Sequence, residues 1–462
     1  MIKKLWYRKF QLIFWVLAIT YLVTNYVPCN YELEGIKIEN VRFVQEAVVQ
    51  ILHQKEPFTE QDKVITFVTE HAKAENWEDK ETNGEIREGL CTCLRRLNLP
   101  FQIKAVAIPN GFSEKEIWDI FQKVYESIEP RSTVYFDITH AFRFLPMLGM
   151  VLINYAQFLK EIEIGGIYYG AFEKLGSASM VKKMPLQERN APILDLGGLI
   201  SLNEWTNAAN NFFEYGRAEA IQKLVNEAVK PFFVKKGPHQ KPAIIVNKIA
   251  GALLDFTNDV ITNRGKRICE GNSVKQIFEN LNELEGENIL PAFMYILRRI
   301  EEKLQNFQPA TLTNAYYAIQ WAIDNNWVQQ AFTQMDEFLI SFVLEQLGMD
   351  WKCQFNRQTL NKAVQIVSQD IPEDKWKLSN EEKTREKEIE WIHKVKPRLE
   401  EKAFQELMRI MNGIDSMRNS INHGGYNKDD NQTSKSLYDN LKVFFERLTQ
   451  TLKTHWPDFL LS

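Results

Sequence analysis

Short apolar runs alternate with segments of helical periodicity in the N-terminal part of the chain. Runs typical of buried strands lie at residues 63–69, 101–108, 132–138 and 161–169. Helical patterns lie at residues 41–52, 113–128 and 146–159. Strands that are separated by single helices form βαβ units and pair in parallel. The pattern therefore predicts a doubly wound α/β domain.

The first apolar run, residues 10–27, has two interpretations. Four basic residues precede it, and eighteen apolar residues with positive flanks can form a membrane anchor. The run also contains polar residues, such as Gln11 and Thr20, which suit a buried first strand better than lipid. We favour the strand, because a candidate ligand loop follows it directly. Membrane association through residues 10–27 is the alternative.

Helical periodicity dominates from about residue 202 to the end of the chain. We predict long amphipathic helices near residues 243–260, 274–304, 313–346, 376–396, 398–422 and 434–453. Pro397 should break or kink the chain between the fourth and the fifth of these helices. Residues 180–196, which contain two prolines, are the predicted linker. The expected architecture is α/β followed by all-α, with domains at residues 1–190 and 191–462.

The net charge and the cysteine pattern exclude some classes of function. Basic residues number 56 and acidic residues 60, which gives a net charge of −4. This balance excludes a uniformly basic nucleic-acid-binding surface but allows a local basic groove. The five cysteines include no CxxC pair, so we predict reduced thiols in a cytoplasmic protein and no metal site.

Polar and aromatic residues follow three of the predicted strands. At the end of the first apolar run, residues 10–27, they are Thr24, Asn25 and Tyr26. At the end of the run at 132–138 they are Asp137, Thr139, His140, Phe142 and Arg143, and at the end of the run at 161–169 they are Tyr169 and Gly170. Open α/β sheets bind ligands at the carboxyl ends of their strands, and His140 and Arg143 suit phosphate. No GxGxxG or Walker A motif is present, so the usual dinucleotide and triphosphate fingerprints are missing. Alternatively, Asp137 and Thr139 cap a turn and Arg143 pairs with a carboxylate.

A second candidate site lies near the end of the chain. Arg418 falls inside the apolar stripe of the helix at residues 398–422, so it needs either an internal carboxylate or another subunit as its partner. His423 follows about 140° further around an ideal helix. The two side chains share a face only if the last turn loosens, which Gly424 and Gly425 would permit.

Arginine and histidine without metal ligands suit the cleavage of an RNA phosphodiester. The attacking 2′-hydroxyl must lose a proton, the leaving 5′-oxygen must gain one, and the charge on phosphorus must be stabilised. Histidine titrates in the right range, and arginine is a permanent phosphate ligand. The alternative is a structural Asp415–Arg418 pair with His423 as a polar helix end.

Several of these segments together resemble one family. The sequences NYVPCNYE (25–32), RFVQEA (42–47), DITHAFR (137–143) and YYGAFE (168–173) resemble the CARF domain of type III CRISPR accessory proteins. Residues 320–332 and the sequence RNSINH (418–423) resemble the HEPN ribonuclease domain that follows it. The resemblance spans nearly the whole chain and keeps the order of the domains.

The resemblance implies a Rossmann-like CARF sensor and a helical, metal-independent HEPN endoribonuclease of antiviral defence. It implies cyclic oligoadenylate as the activator, with cyclic tetra-adenylate expected, and single-stranded RNA as the substrate. It also implies a homodimer or higher oligomer with a composite active site, no cofactor and no stable DNA partner. The implied catalytic residues are Arg418, Asn419 and His423, and the implied ligand residues are those named above at the strand ends. The alternative function is a non-enzymatic CARF sensor with a helical docking or membrane-tethered signalling module.

Overall fold

The computed structural model describes residues 10–16, 26–82, 84–140, 145–234, 237, 239–284, 286–287, 289–426 and 432–460. The chain divides into two compact units, Met1–Asn203 and Glu204–Ser462. The first contains the strands and the second is helical. The predicted fold class, α/β followed by a helical region, is confirmed.

The strands of the first unit are β1 Phe10–Val16, β2 Cys29–Leu33, β3 Ile36–Val41, β4 Lys63–Val68, β5 Lys80–Thr82, β6 Glu85–Arg87, β7 Gln102–Ala107, β8 Thr133–His140, β9 Glu163–Gly170 and β10 Asn190–Asp195. Its helices are α1 Val44–Lys55, α2 Glu70–Ala72, α3 Leu90–Arg96, α4 Glu114–Ser127, α5 Leu145–Lys160 and α6 Ala178–Val181. The main sheet of the described residues has the order β3-β2-β10-β9-β8-β1-β4-β7. Strands β7, β4, β1, β8 and β9 run parallel.

The parallel strands are apolar because helices cover both faces of the sheet. Along β4, Val64 and Val68 pack in one buried cluster with α1 and α3, whereas Ile65 and Phe67 pack in another with α4 and α5. Each such side chain contributes about 1.5–3 kcal/mol when it leaves water. The alternation along β4 thus fixes which face each helix covers.

Two parts of the first unit differ from the prediction. The hairpin β2–β3 was not predicted, and β10 lies in the segment 180–196 that we predicted as a linker. β10 pairs in parallel with β2 and antiparallel with β9, so it closes the sheet between them. The sheet therefore continues past residue 190, where we predicted the domain boundary.

The first apolar run contains a strand of this sheet. β1 pairs with β4 on one side and with β8 on the other. Residues 17–25 of the run lie outside the described residues. No helix in the described part of the chain combines the length and apolarity needed to span a membrane.

The remaining helices are α7 Gly198–Tyr215, α8 Glu219–Val234, α9 Gln240–Ile261, α10 Gly265–Glu270, α11 Asn272–Glu283, α12 Pro291–Leu304, α13 Thr313–Asp324, α14 Val328–Gln346, α15 Gln354–Ser368, α16 Glu382–Leu399, α17 Lys402–Asn422 and α18 Ser434–His455. Most buried residues of α7–α12 form one apolar cluster, and those of α14–α18 form another, with α13 contributing to both. Two long predicted helices are each divided in two, near residues 284–290 and 325–327. Pro397 lies inside α16, and the break falls just after it, at residues 400–401.

Candidate functional sites

The topology of the sheet brings the predicted strand-end residues to one edge. The chain passes from β1 to β4 and β7 on one side, and then to β8 and β9 on the other side of β1. The crevice between the carboxyl ends of β1 and β8 is therefore a topological switch point, where open α/β sheets bind their ligands.

A hydrogen-bond network joins the ends of β8 and β9 to α1. Oδ1 of Asp137 accepts hydrogen bonds from the backbone N–H and the hydroxyl of Thr139, at 3.2 and 2.5 Å. Oδ2 of Asp137 accepts one from Nε2 of Gln45 at 2.5 Å. The backbone N–H of Gly170 donates to Oγ1 of Thr139 at 2.8 Å. Three predicted site residues are thus in direct contact, and Gln45 joins them.

Asp137 is a buried residue that holds the residues of this edge in place. Only 1% of the residue is exposed, and burial raises the pKa of its carboxyl group to about 6, although the hydrogen bonds from Thr139 and Gln45 lower it. Both of its oxygens already accept hydrogen bonds. The geometry supports a positioning role for Asp137, which matches the turn-capping alternative at this residue.

Aromatic residues and a glycine complete the described part of the edge. The ring of Tyr26 packs against Phe43, with centroids 5.0 Å apart, and burial raises the Tyr26 pKa to about 12. The hydroxyl of Tyr169 donates to Oε1 of Glu173 at 2.7 Å. A Cβ atom on Gly170 would lie 2.5 Å from the side chain of Val44, so only glycine fits there.

The contacts above do not include the other five predicted ligand residues. Thr24, Asn25, Phe142 and Arg143 fall outside the described residues. His140 is the last residue of β8.

In the helical unit, Arg418 of α17 contacts a carboxylate of α14. Its Nη1 donates to Oδ2 of Asp336, and its Nη2 lies 3.4 Å from Oδ1 of Asp415. The Asp336 side chain is 8% exposed and that of Arg418 is 28% exposed. The internal carboxylate that an arginine in an apolar stripe requires is therefore Asp336.

Burial dominates the electrostatics of this pair. It raises the pKa of Asp336 to about 6, while the nearby positive charge of Arg418 lowers it. The Nε of Arg418 is buried and has no hydrogen-bond partner among the described residues. Arg418 is thus anchored at one end of its guanidinium group and partly open to solvent.

The other two predicted catalytic residues lie at the exposed end of α17. The helix ends at Asn422, and the backbone N–H of His423 donates to the carbonyl of Asn419 at 3.0 Å. Gly424 and Gly425 follow with φ of +64° and +67°, a left-handed backbone that favours glycine. Asn419 and His423 are exposed, so both are accessible to a large substrate.

The sequence prediction missed Gln45 and Asp336. Gln45 is a polar residue in an otherwise apolar helical stripe and occurs in the RFVQEA segment, which was a usable signal. Asp336 is a buried acid in the apolar run of α14, next to the exposed Glu337, but its partner is 82 residues away. Among the described residues, no cluster of three or more His, Cys, Asp and Glu side chains has a geometry that could hold a metal ion.

Comparisons with known proteins match two segments of the chain. Residues 16–173 match the family model described as CRISPR system endoribonuclease Csx1, CARF domain. Residues 201–314 match the model described as CRISPR-associated protein MJ1674, second domain. The curated CRISPR-associated protein MJ1674 of Methanocaldococcus jannaschii is 28% identical over 130 residues, which are 28% of this chain and 19% of that protein. The match thus spans about a fifth of the relative's length.

Proposed function

Because this chain belongs to the CRISPR accessory proteins that contain a CARF domain, we propose that it is an RNA endonuclease activated by a cyclic oligoadenylate. The observation that carries this proposal is the anchored Arg418 on the same helix end as the exposed His423. The ribonuclease part would comprise the cluster of α13–α18, which follows the segment that matches the second domain of MJ1674.

Each chemical requirement of RNA cleavage has a candidate residue. His423 would move protons between the 2′-hydroxyl and the leaving 5′-oxygen. Arg418, held by Asp336, would stabilise the charge that develops on the phosphate. Asn419, one turn before His423, would position the pair through its backbone carbonyl, which accepts the hydrogen bond that the His423 N–H donates. No step of this scheme requires a metal ion.

The strand-end edge would bind the activator. Cyclic tetra-adenylate carries four phosphates, which suit His140, the last residue of β8, and Arg143, three residues further along the sequence. The network of Gln45, Asp137, Thr139 and Gly170 would fix the shape of the edge on which the ring lies. Activation requires that the ring bind the active arrangement of the protein more tightly than the inactive one.

An exposed apolar stripe on α5 supports a homodimer. Met147, Val151, Tyr155 and Phe158 follow one another at helical spacing and are 73, 62, 47 and 83% exposed. Soluble monomers rarely leave such a contiguous stripe in water. We propose that a second copy of the chain covers this stripe, in a closed two-fold arrangement.

Replacing Phe158 with glutamate should therefore disrupt the dimer, because it places a charge in an apolar interface. Sedimentation analysis at micromolar concentration should show a shift from dimer to monomer. The matched control is Lys115→Glu on the exposed side of α4, which should leave the mass unchanged. A dimer that persists in the Phe158 variant would assign the interface to another surface.

RNA cleavage should not depend on a divalent metal, because the protein itself supplies the proton carrier and the positive charge. The test is cleavage of a labelled single-stranded RNA by the full chain, with and without cyclic tetra-adenylate, in excess EDTA. We expect cleavage that requires the activator and is unchanged by EDTA. Activity that disappears in EDTA and returns with magnesium would contradict this prediction. Absence of cleavage under all conditions would favour a non-enzymatic sensor.

Replacing Arg143 with alanine should raise the activator concentration for half-maximal cleavage by at least about tenfold, the effect of losing one charge-assisted hydrogen bond. Basal cleavage without activator should stay at the wild-type level, because Arg143 lies in the other unit of the chain from Arg418. An activator titration and a melting curve on the same variant separate the two roles. A lower melting temperature with an unchanged midpoint would make Arg143 a structural residue.

A further inference from the structure

The helical unit contains a cavity of about 390 Å³, lined by residues of α10, α13, α14, α15 and the loop before α15. Small-molecule sites typically have volumes of about 300–1,000 Å³. Neither Arg418 nor His423 lines this cavity. The cavity is therefore distinct from the proposed nuclease residues, and its lining residues indicate what it could bind.

Positive charge converges on the cavity from three elements. Lys266 of α10, Lys352 of the loop and Arg357 of α15 line it, and Glu337 is the acidic residue among the lining residues described. Arg357 forms an ion pair with Glu337 and also donates to the hydroxyl of Ser341 at 2.8 Å. Lys266 has only a loose contact of 3.9 Å with the exposed Glu270, and Nζ of Lys352 lies 5.1 Å from the centre of the Trp351 ring, so neither lysine is neutralised by a close carboxylate among the described residues. The cavity therefore favours an anion.

The remaining wall suits a flat ring with a hydrogen-bond donor. Trp351 supplies apolar surface, and Phe338, which is only 1% exposed, lies in the wall behind it. Gln334, which is 6% exposed, donates from Nε2 to the carbonyl of Val260 at 2.8 Å and to Oδ1 of Asn263 at 3.2 Å. Two acceptors on Nε2 fix the orientation of the amide, and its buried Oε1 has no partner among the described residues. A buried acceptor without a partner is costly, and a ligand amino group would satisfy it.

We propose that this cavity binds a nucleotide whose base carries an amino group. The phosphate would lie near Lys266 and Lys352, the base would pack against Trp351 and Phe338, and its amino group would donate to Oε1 of Gln334. Such a nucleotide can be free in solution or can belong to an RNA strand, and both present the same groups.

The position of the cavity on α14 separates it from the proposed nuclease site. Gln334, Phe338 and Ser341 recur at the spacing of one helix face, about 140–160° from Asp336 at 100° per residue. Asp336 faces Arg418 on α17, so α14 lies between the two features. Glu337 and Arg357 of the cavity still act electrostatically on Asp336, so we assign only binding to the cavity.

Calorimetric titration of the full chain with AMP tests the proposal without any RNA cleavage. Inosine monophosphate carries an oxygen in place of the 6-amino group of AMP, and adenosine lacks the phosphate. We expect AMP to bind at least about tenfold more tightly than either, because each lacks one polar contact. Gln334→Met should remove the preference for AMP over inosine monophosphate, and the double variant Lys266→Ala/Lys352→Ala should weaken AMP by at least about tenfold.

Two further variants assign the binding to the cavity. Lys230→Ala, at an exposed position of α8, should bind AMP as the wild type does. A loss of AMP binding in Arg143→Ala would instead place AMP at the strand-end edge and would contradict the assignment to the cavity. An oligonucleotide with 2′-O-methyl groups, which cannot be cleaved by its own 2′-oxygen, distinguishes the sources. Displacement of AMP by this oligonucleotide identifies an RNA strand as the ligand, and AMP binding without displacement identifies a free nucleotide.

The proposal is overturned if millimolar AMP does not bind to the wild type. It is also overturned if folded Gln334→Met and the double lysine variant both bind AMP and inosine monophosphate as the wild type does. Melting curves establish that each variant is folded. None of these results depends on whether the chain cleaves RNA, so they leave the nuclease proposal untouched.

Discussion

Replacing His423 with alanine is expected to lower activated RNA cleavage by about 10²–10⁴-fold, the usual cost of losing a general acid or base. His423 is exposed and caps the end of α17 through its backbone, whose N–H bond to Asn419 an alanine can also form. The substitution should therefore leave the melting temperature, the dimer and activator binding at their wild-type values. The measurement is the initial rate on labelled RNA at saturating activator.

His455→Ala is a matched control for this prediction. His455 also lies at the end of a helix, α18, but its Nε2 pairs with Glu406 at 3.1 Å. We expect this variant to cleave RNA at nearly the wild-type rate. If His423→Ala cleaves as fast as the wild type, the catalytic assignment of His423 is wrong, and the HEPN resemblance of residues 418–423 has no functional basis.

The parallel strands were predictable because each contains a short apolar run, which is buried on both faces in β4 and persists even in the exposed edge strand β7. The hairpin β2–β3 was not, because its two-residue turn has Glu34 and Gly35 with φ of +50° and +83°. Asn-Gly or Asp-Gly is the usual signal for such a turn, and Glu-Gly is a weak one. β10 was missed because Pro192 argues against a strand. Pro192 lies where β10 changes its partner from β2 to β9, so it disturbs little of the ladder.

The divided helices show a similar limit. Apolar periodicity continues through residues 313–346, but Asn326 adopts φ of +59° and separates α13 from α14. In the segment 274–304, Pro291 occupies the first turn of α12, where proline is favoured, and this helix start could have been predicted. The periodicity of apolar residues identifies the helical faces, whereas single residues with unusual backbone angles decide where helices end.

The candidate sites were predictable to different degrees. The strand-end edge follows from topology, because carboxyl ends of parallel strands meet at one edge, and Asp137, Thr139 and Gly170 do come together there. The need of Arg418 for a partner, either an internal carboxylate or another subunit, followed from its place in an apolar stripe. The identity of that carboxylate did not, because packing of α14 against α17 brings Asp336 to Arg418 across 82 residues of sequence.

Replacing Arg418 with alanine is expected to lower RNA cleavage by about 10²–10³-fold, the typical cost of removing one donor to the transition-state charge. This variant should also lose stability, by up to about 3–5 kcal/mol, because it leaves the buried Asp336 carboxylate without its cation. Loss of activity alone therefore cannot distinguish a catalytic arginine from a structural one. The distinction requires a second substitution that removes the buried charge.

The double variant Arg418→Ala/Asp336→Asn supplies this distinction. Asparagine is nearly isosteric with aspartate and neutral, so most of the lost stability should return, as measured by urea unfolding at pH 8. Cleavage should stay at the level of the single Arg418 variant, because the guanidinium group is still absent. Asp336→Asn alone keeps an acceptor oxygen for Arg418 and should retain cleavage within about tenfold of the wild type. If the double variant recovers cleavage, Arg418 serves only to neutralise Asp336.

The pH dependence of the single Arg418 variant is an independent check of the same pair. Burial already raises the Asp336 pKa to about 6, and loss of Arg418 removes the charge that lowers it, so the pKa should rise further. The folded variant then binds a proton more tightly than the unfolded chain, whose aspartate keeps a pKa of about 3.9. Its stability deficit relative to the wild type should be complete above the raised pKa and should shrink as the pH falls from that value toward 6, the wild-type pKa, below which Asp336 is protonated in both proteins. In Asp336→Asn backgrounds the deficit caused by Arg418→Ala should be small and nearly independent of pH, because no carboxylate at this position is left to titrate. A deficit in the single variant that stays constant from pH 8 to pH 5 would show that Asp336 is not the group that Arg418 neutralises.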